Sequence, residues 1–154
     1  MKPKFWNKGR LYLSKKDRVL KSIISTYQNE YLSINKNYFH CLLNSIIGQQ
    51  ISVSAANSIK RRFFSLKKNI NPISISTIKT KSLREVGLSR QKILYINNIS
   101  EFFIQNKKFI KNINKFSEVE TREKLISIKG VGEWTADMFL IFGLGKLNVF
   151  PRGD

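Results

Sequence analysis

Leu125-Ile-Ser-Ile-Lys129-Gly130-Val131-Gly132-Glu133-Trp134-Thr135-Ala136-Asp137-Met138 reads as a helix, a glycine hairpin and a second helix. Leu125 and Ile128 before the turn recur at helical spacing, as do Ala136, Phe139 and Leu140 after it. Gly130 and Gly132 flank Val131, and glycine both tolerates positive φ and lets a backbone approach a ligand closely. The helix that follows presents its free N–H groups and the positive end of its dipole at the turn, where a phosphate oxygen fits. Lys129 adds a positive charge beside them. Contacts of this kind hold a nucleic-acid backbone without reading its sequence, so the hairpin alone fits any DNA-binding module.

The same helical spacing runs outward from this pair. Ser14 is read as the cap of a helix to about Tyr27, with Val19, Leu20, Ile23, Ile24 and Tyr27 on one face. A second helix begins near Tyr38, buries Phe39, Leu42, Leu43, Ile46 and Ile47, and ends at Gly48. Ser52 opens a third to about Leu66, with Val53, Ala56, Phe63 and Phe64 facing in and Ile59 or Lys60 between them. Asn71-Pro72 breaks the chain, two short helices are expected between Ile73 and Val86, and Gly87 stops them. Ser89 caps a helix to about Gln105 that buries Ile93, Ile96 and Phe103. Asn106 to Phe116 reads as a polar, basic connection, and Ser117 opens the closing helix pair, Glu118 to Ile128 and Glu133 to Gly143. Short helices with short connections and no strand signal predict a single-domain all-α bundle. Its expected parts are an N-terminal arm and helix (1–33), core helices (34–116), the helix–hairpin–helix (117–144) and a Gly/Pro/Asp loop (145–154).

Composition narrows the partner. The 154 residues suffice for one domain with a real core, and 42% hydrophobic with 25% charged residues is the balance of a folded, water-facing protein. The 28 Lys and Arg against 10 acids leave a formal charge of +18, which favours a polyanion, nucleic acid first. Lysine enrichment spread over a solvated surface is the plainer source of that charge, and charge alone names no chemistry. Cys41 and His40 are single and sit in an apolar stretch, so core packing is expected for both, with no disulfide, zinc site or iron–sulfur cluster. No apolar run approaches the roughly 18 residues of a membrane span. The start Met1-Lys-Pro-Lys-Phe-Trp6 lacks the apolar segment of a signal peptide. The expectation is an intracellular protein, nucleoid-associated in a bacterial cell, acting as a monomer without membrane contact.

Lys129-Gly-Val-Gly-Glu-Trp-Thr-Ala136 followed by Val149-Phe-Pro-Arg-Gly-Asp154 resembles the helix–hairpin–helix plus Gly/Pro/Asp signature of a DNA glycosylase superfamily, most closely the 3-methyladenine DNA glycosylase II family. Phe39-His-Cys-Leu-Leu-Asn-Ser-Ile-Ile-Gly-Gln-Gln-Ile-Ser-Val-Ser-Ala-Ala56 is similar to the family's core helix and following loop, and Gly87-Leu-Ser-Arg-Gln-Lys92 to its second conserved turn. The ordered set, from about residue 5 to the end, is specific where each piece is not.

The resemblance implies double-stranded DNA with a damaged base as partner, base excision repair as the process, and roles residue by residue. Asp154 matches the catalytic aspartate. Trp134 matches a base-pocket position that is a strand-cleaving lysine in bifunctional relatives, so a monofunctional enzyme that leaves an abasic site is implied. Met138 stands where some relatives place a pocket tyrosine, which leaves the preferred base open. Gln49 and Gln50 fall on the loop that enters the duplex. Lys129, Gly130, Val131 and Gly132 would hold the phosphate, with room for a monovalent cation on hairpin carbonyls, no other metal and no cofactor. Without the family, Trp134 reads as core, Gln49-Gln50 as a polar loop and Asp154 as a frayed end. Glu133 and Asp137 read as favourable charges near a helix start.

Complete family members continue for several helices beyond the aspartate. The expectation is therefore a bundle lacking those helices, with Ile23, Ile24 and Tyr27 losing part of their burial and the 154-residue chain unstable or inactive alone; robust excision of alkylated purines by it would overturn this. Two other readings stay open: a non-catalytic DNA-binding module, and a glycosylase for mismatched or oxidised bases.

Overall fold

The computed structural model describes residues 1–151; Arg152, Gly153 and Asp154 lie outside the described residues. Among those described the chain is all α-helical. The order is α1 (Trp6–Lys16), α2 (Arg18–Thr26), α3 (Tyr38–Gly48), α4 (Val53–Ser65), α5 (Pro72–Ile75), α6 (Thr80–Glu85), α7 (Arg90–Gln105), α8 (Lys107–Lys111), a 3-10 turn at Ile113–Lys115, α9 (Glu118–Ile126) and α10 (Glu133–Phe139). Residues Leu140–Leu144 carry α10 on as a π-type turn.

The helix starts follow side-chain caps. Asn37, Ser52, Asn71, Ser89 and Ser117 each accept a backbone N–H from the first turn of α3, α4, α5, α7 and α9. Asn71 with Ser74, and Ser117 with Glu120, close reciprocal capping boxes. The Ser117 hydroxyl and N–H on the Glu120 carboxylate hold its pKa below the ordinary value.

α3 is the central pin. Leu42, Leu43, Ile46 and Ile47 have no solvent exposure, and burying such a side chain contributes roughly 1.5–3 kcal/mol. α4, α7 and α10 pack around it, α9 packs on α10, and α5 packs on α7. Phe63, Ile96, Ile99, Leu125 and Phe139 close the core. His40 bonds the Ile70 carbonyl at 2.7 Å through Nε2 and lies against Phe64. Cys41 is buried. Both fill packing roles.

Three expectations change. Ser14 does not start a helix: it lies within α1, and Asp17 makes the break, with extended backbone and a carboxylate that accepts the Leu20 N–H at 2.8 Å. The stretch read as a polar connection holds α8 and the 3-10 turn, because Phe109, Ile110 and the fully buried Ile113 fall on one helical face. Val53 is exposed, at the first position of α4 and outside its packed face.

α1 and α2 pack on one another and bury no residue of their own. Val19, Ile23 and Tyr27 stand in solvent, and Ile24 is half-buried. Asn35 ties the following segment to the core, its N–H bonding the Phe142 carbonyl at 2.8 Å. Among the described residues no helix is long and apolar enough to cross a membrane.

Candidate DNA-binding cleft and base pocket

α9 and α10 form the expected helix–hairpin–helix. Gly130 alone in the hairpin needs its glycine: its φ is +104°, and the Tyr95 ring of α7 occupies the space of a Cβ. Gly132 is extended at φ −91° and ψ 179°, with nothing near its missing side chain. Of the two glycine properties read from the sequence, Gly132 keeps the openness to a close approach and not the positive φ. Val131 plugs the core with its side chain and spends its N–H on the Ile128 carbonyl at 2.9 Å. α10 starts at Gly132 with no side-chain cap. The cap is a glycine with no side chain of its own, and the positive end of the α10 dipole points at the turn, which suits an anion there. Lys129 is exposed beside it.

α7 seats the hairpin. Asn98 donates to the Lys129 carbonyl at 3.0 Å, Tyr95 lies under Gly130, and Gln91 donates to the Tyr95 hydroxyl at 2.5 Å. These positions recur at i, i+4 and i+7, a stripe of α7 beside its buried one.

The pair Gln49–Gln50 follows α3 and faces the hairpin. The structure divides their roles. Gln49 Nε2 donates to the Thr135 hydroxyl in the first turn of α10 at 3.1 Å. Gln50 is exposed, and at φ +56° it is the non-glycine residue with positive φ among the described residues.

Six of the residues singled out from the sequence meet on one cleft of about 810 Å³: Gln49, Gln50, Gly130, Val131, Gly132 and Trp134. Its lining adds Tyr95, which the sequence reading did not name, and Lys92, which it quoted as the end of the second conserved turn without giving it a role. Lys92 donates to the carbonyls of Ile47 and Gln49, at 2.8 Å each, and burial lowers its pKa from the ordinary lysine value. Trp134 is also a wall of a second pocket of about 300 Å³, shared with Met138 and lined further by Asn35, Asn44, Ser45 and Lys60. The half-buried indole is thus common to a cleft beside the hairpin and to a smaller recess behind it. Of these polar residues, Asn44 and Ser45 were legible only as interruptions in the apolar α3.

Lys129 lines neither space, and Asp154 lies outside the described residues. Asp137 is not a dipole charge as first read. It is buried, and Oδ1 accepts from Arg122 Nε at 3.0 Å and Nη2 at 2.6 Å, bracing α9 against α10.

Residues 43–154 match the family described as HhH-GPD superfamily base excision DNA repair protein. A DNA-3-methyladenine glycosylase of Saccharomyces cerevisiae is 35% identical over 129 residues, covering 77% of this chain and 44% of that protein. DNA-3-methyladenine glycosylase 1 of Schizosaccharomyces pombe is 30% identical over 154 residues, covering 96% of this chain and 68% of that protein. The chain thus spans less than half of one relative and about two thirds of the other. The solved structure of the S. pombe 3-methyladenine DNA glycosylase with abasic DNA superposes with a TM-score of 0.83 at 31% identity, over 96% of this chain and 75% of that one. Together with the seated hairpin and its facing loop, these matches show that the chain belongs to the helix–hairpin–helix–GPD superfamily of base excision DNA repair proteins, among the DNA-3-methyladenine glycosylases.

Proposed function

We propose that the protein hydrolyses the N-glycosidic bond of alkylated purines of the 3-methyladenine type after flipping them out of duplex DNA. The observation that carries this reading is the position of Trp134, on the wall between the hairpin cleft and the recess it shares with Met138. A base cannot be reached inside the stack, and extruding it costs a few kcal/mol. The hairpin grips the backbone through the first turn of α10 and Lys129, and Gln50 fills the gap left in the duplex.

An alkylated purine is cationic in the nucleotide. It stacks on the indole with roughly 0.5–2 kcal/mol of cation–π attraction, and its charge makes it a good leaving group. The C1′–N bond breaks with its electron pair going to the base, and the sugar becomes an oxocarbenium-like cation. Asp154 is the carboxylate assigned to stabilise that cation and to take the proton of the water that adds to C1′. The position that would hold a strand-cleaving lysine is Trp134, which supports base release without lyase chemistry. A monovalent cation on the hairpin would share the Lys129 carbonyl with Asn98 and the Ile128 carbonyl with Val131, and no step depends on it.

The deciding experiment compares the protein with its Asp154→Asn variant on duplexes carrying alkylated, mismatched or oxidised bases. The expected result is release of alkylated purines only, lost at least a hundredfold in the variant, with duplex affinity retained; such release by the 154-residue chain would also overturn the sequence-based expectation that it is inactive alone. Release confined to mismatched or oxidised bases would reassign the substrate. Binding without release by either protein would favour a non-catalytic DNA-binding module.

A further inference from the structure

The loop between α3 and α4 is held from two sides. α3 ends at Gly48, and the carbonyls of a helix end carry partial negative charge without intrahelical partners. The Lys92 ammonium, reaching across from the first turn of α7, donates to Ile47 and Gln49 in that stretch. On the other side the Gln49 amide donates to Thr135, which is almost fully buried and directly follows Trp134. Between these two clips and the Ser52 cap of α4, Gln50 sits exposed at φ +56°. A non-glycine residue keeps such a conformation only where its surroundings over-determine it.

We propose that Lys92 is a positioning residue whose two carbonyl bonds, acting with the Gln49–Thr135 bond, lock the 48–52 loop to the hairpin so that Gln50 is presented as a preformed wedge. This rests on the glycosylase reading for the meaning of the wedge, but not for the existence of the lock. A preset loop does not have to be ordered when DNA binds. It also fixes the distance between the wedge and the phosphate grip, because both ends of the lock sit on elements that carry the hairpin: α7 beneath it and α10 after it.

Two readouts test this without relying on catalysis. The first is affinity for a duplex with a tetrahydrofuran abasic site against the same duplex undamaged; the second is amide hydrogen exchange at Gln49 to Ser52. Lys92→Met should reduce the preference for the abasic duplex, read as the ratio of the two affinities, about tenfold, and speed exchange in the loop. Lys92→Arg should restore most of the preference, since its guanidinium can span the same carbonyls. Thr135→Val, cutting the opposite clip at nearly constant volume, should act in the same direction. An unchanged preference in Lys92→Met, an equal loss on both duplexes, or unchanged loop exchange would overturn the proposal. If the wild-type protein shows neither abasic preference nor base release, the glycosylase reading fails, and the exchange data still decide whether the lock exists.

Discussion

The Tyr95 ring occupies the space that a Cβ on residue 130 would need, so the hairpin rests directly on α7 at a position where its backbone has no side chain. Gly130→Ala therefore meets two penalties, the collision and the φ of +104°. The expected cost is about 1–3 kcal/mol from the backbone alone, with duplex affinity falling more than tenfold as the turn is pushed out. Adding Tyr95→Ala should relieve the collision but not the backbone strain. Urea denaturation of the single and double variants separates the two; full recovery in the double variant would show that backbone strain contributes nothing.

Arg122 and Asp137 brace the two helices of the hairpin, and the carboxylate is the more deeply buried partner. Removing only the cation in Arg122→Met leaves a buried charge unpaired, at an expected cost of about 3 kcal/mol. Replacing both in Arg122→Met/Asp137→Leu should recover most of that loss, since apolar substitutes for a buried pair are often near neutral. A double variant no more stable than the single one would show that the pair does more than satisfy its own burial.

Cys41 lies in α3 on the wall of the recess behind Trp134, and burial raises its thiol pKa from 9.0 to about 11. The unfolded chain ionises near 9 while the folded one stays protonated, so above pH 9 the unfolded state binds fewer protons and stability falls until about pH 11. At about 1.4 kcal/mol per unit the loss approaches roughly 2.7 kcal/mol. Lysines and tyrosines titrate in the same range, but they are common to wild type and Cys41→Ala. The wild-type excess loss between pH 8 and 11 isolates the thiol. Parallel stability curves for the two proteins would contradict the assignment.

The pairing of elements was readable where periodicity and capping agreed. α3, α7 and the hairpin helices have both an apolar face and an Asn or Ser cap or a glycine stop, and they lie where the sequence placed them. The breaks failed where two caps competed: Ser14 and Asp17 are three residues apart, and the charged oxygen took the extended backbone and the N–H. α8 was hidden by composition, because asparagine and lysine masked three apolar residues at helical spacing. The site was legible as a set of segments, not as a mechanism. Nothing in Gly87-Leu-Ser-Arg-Gln-Lys92 says that its lysine reaches carbonyls 45 and 43 residues earlier, because that bond exists only once α7 packs on α3.

Lys129 is exposed beside the hairpin, and among the described residues its hydrogen bond runs through its backbone carbonyl, which leaves its ammonium available to a phosphate. Each neutralised phosphate contributes about 0.9 to the slope of log affinity against log salt. Lys129→Ala should weaken duplex binding uniformly across sequences and lower that slope by about 1. Lys107 is equally exposed but borders a separate groove formed with α9, so Lys107→Ala should leave the slope unchanged although it removes the same charge from a chain of net +18. Equal slope changes in the two variants would mean that DNA responds to the overall charge and not to the hairpin. A wild-type affinity insensitive to salt would count against duplex DNA as the partner altogether.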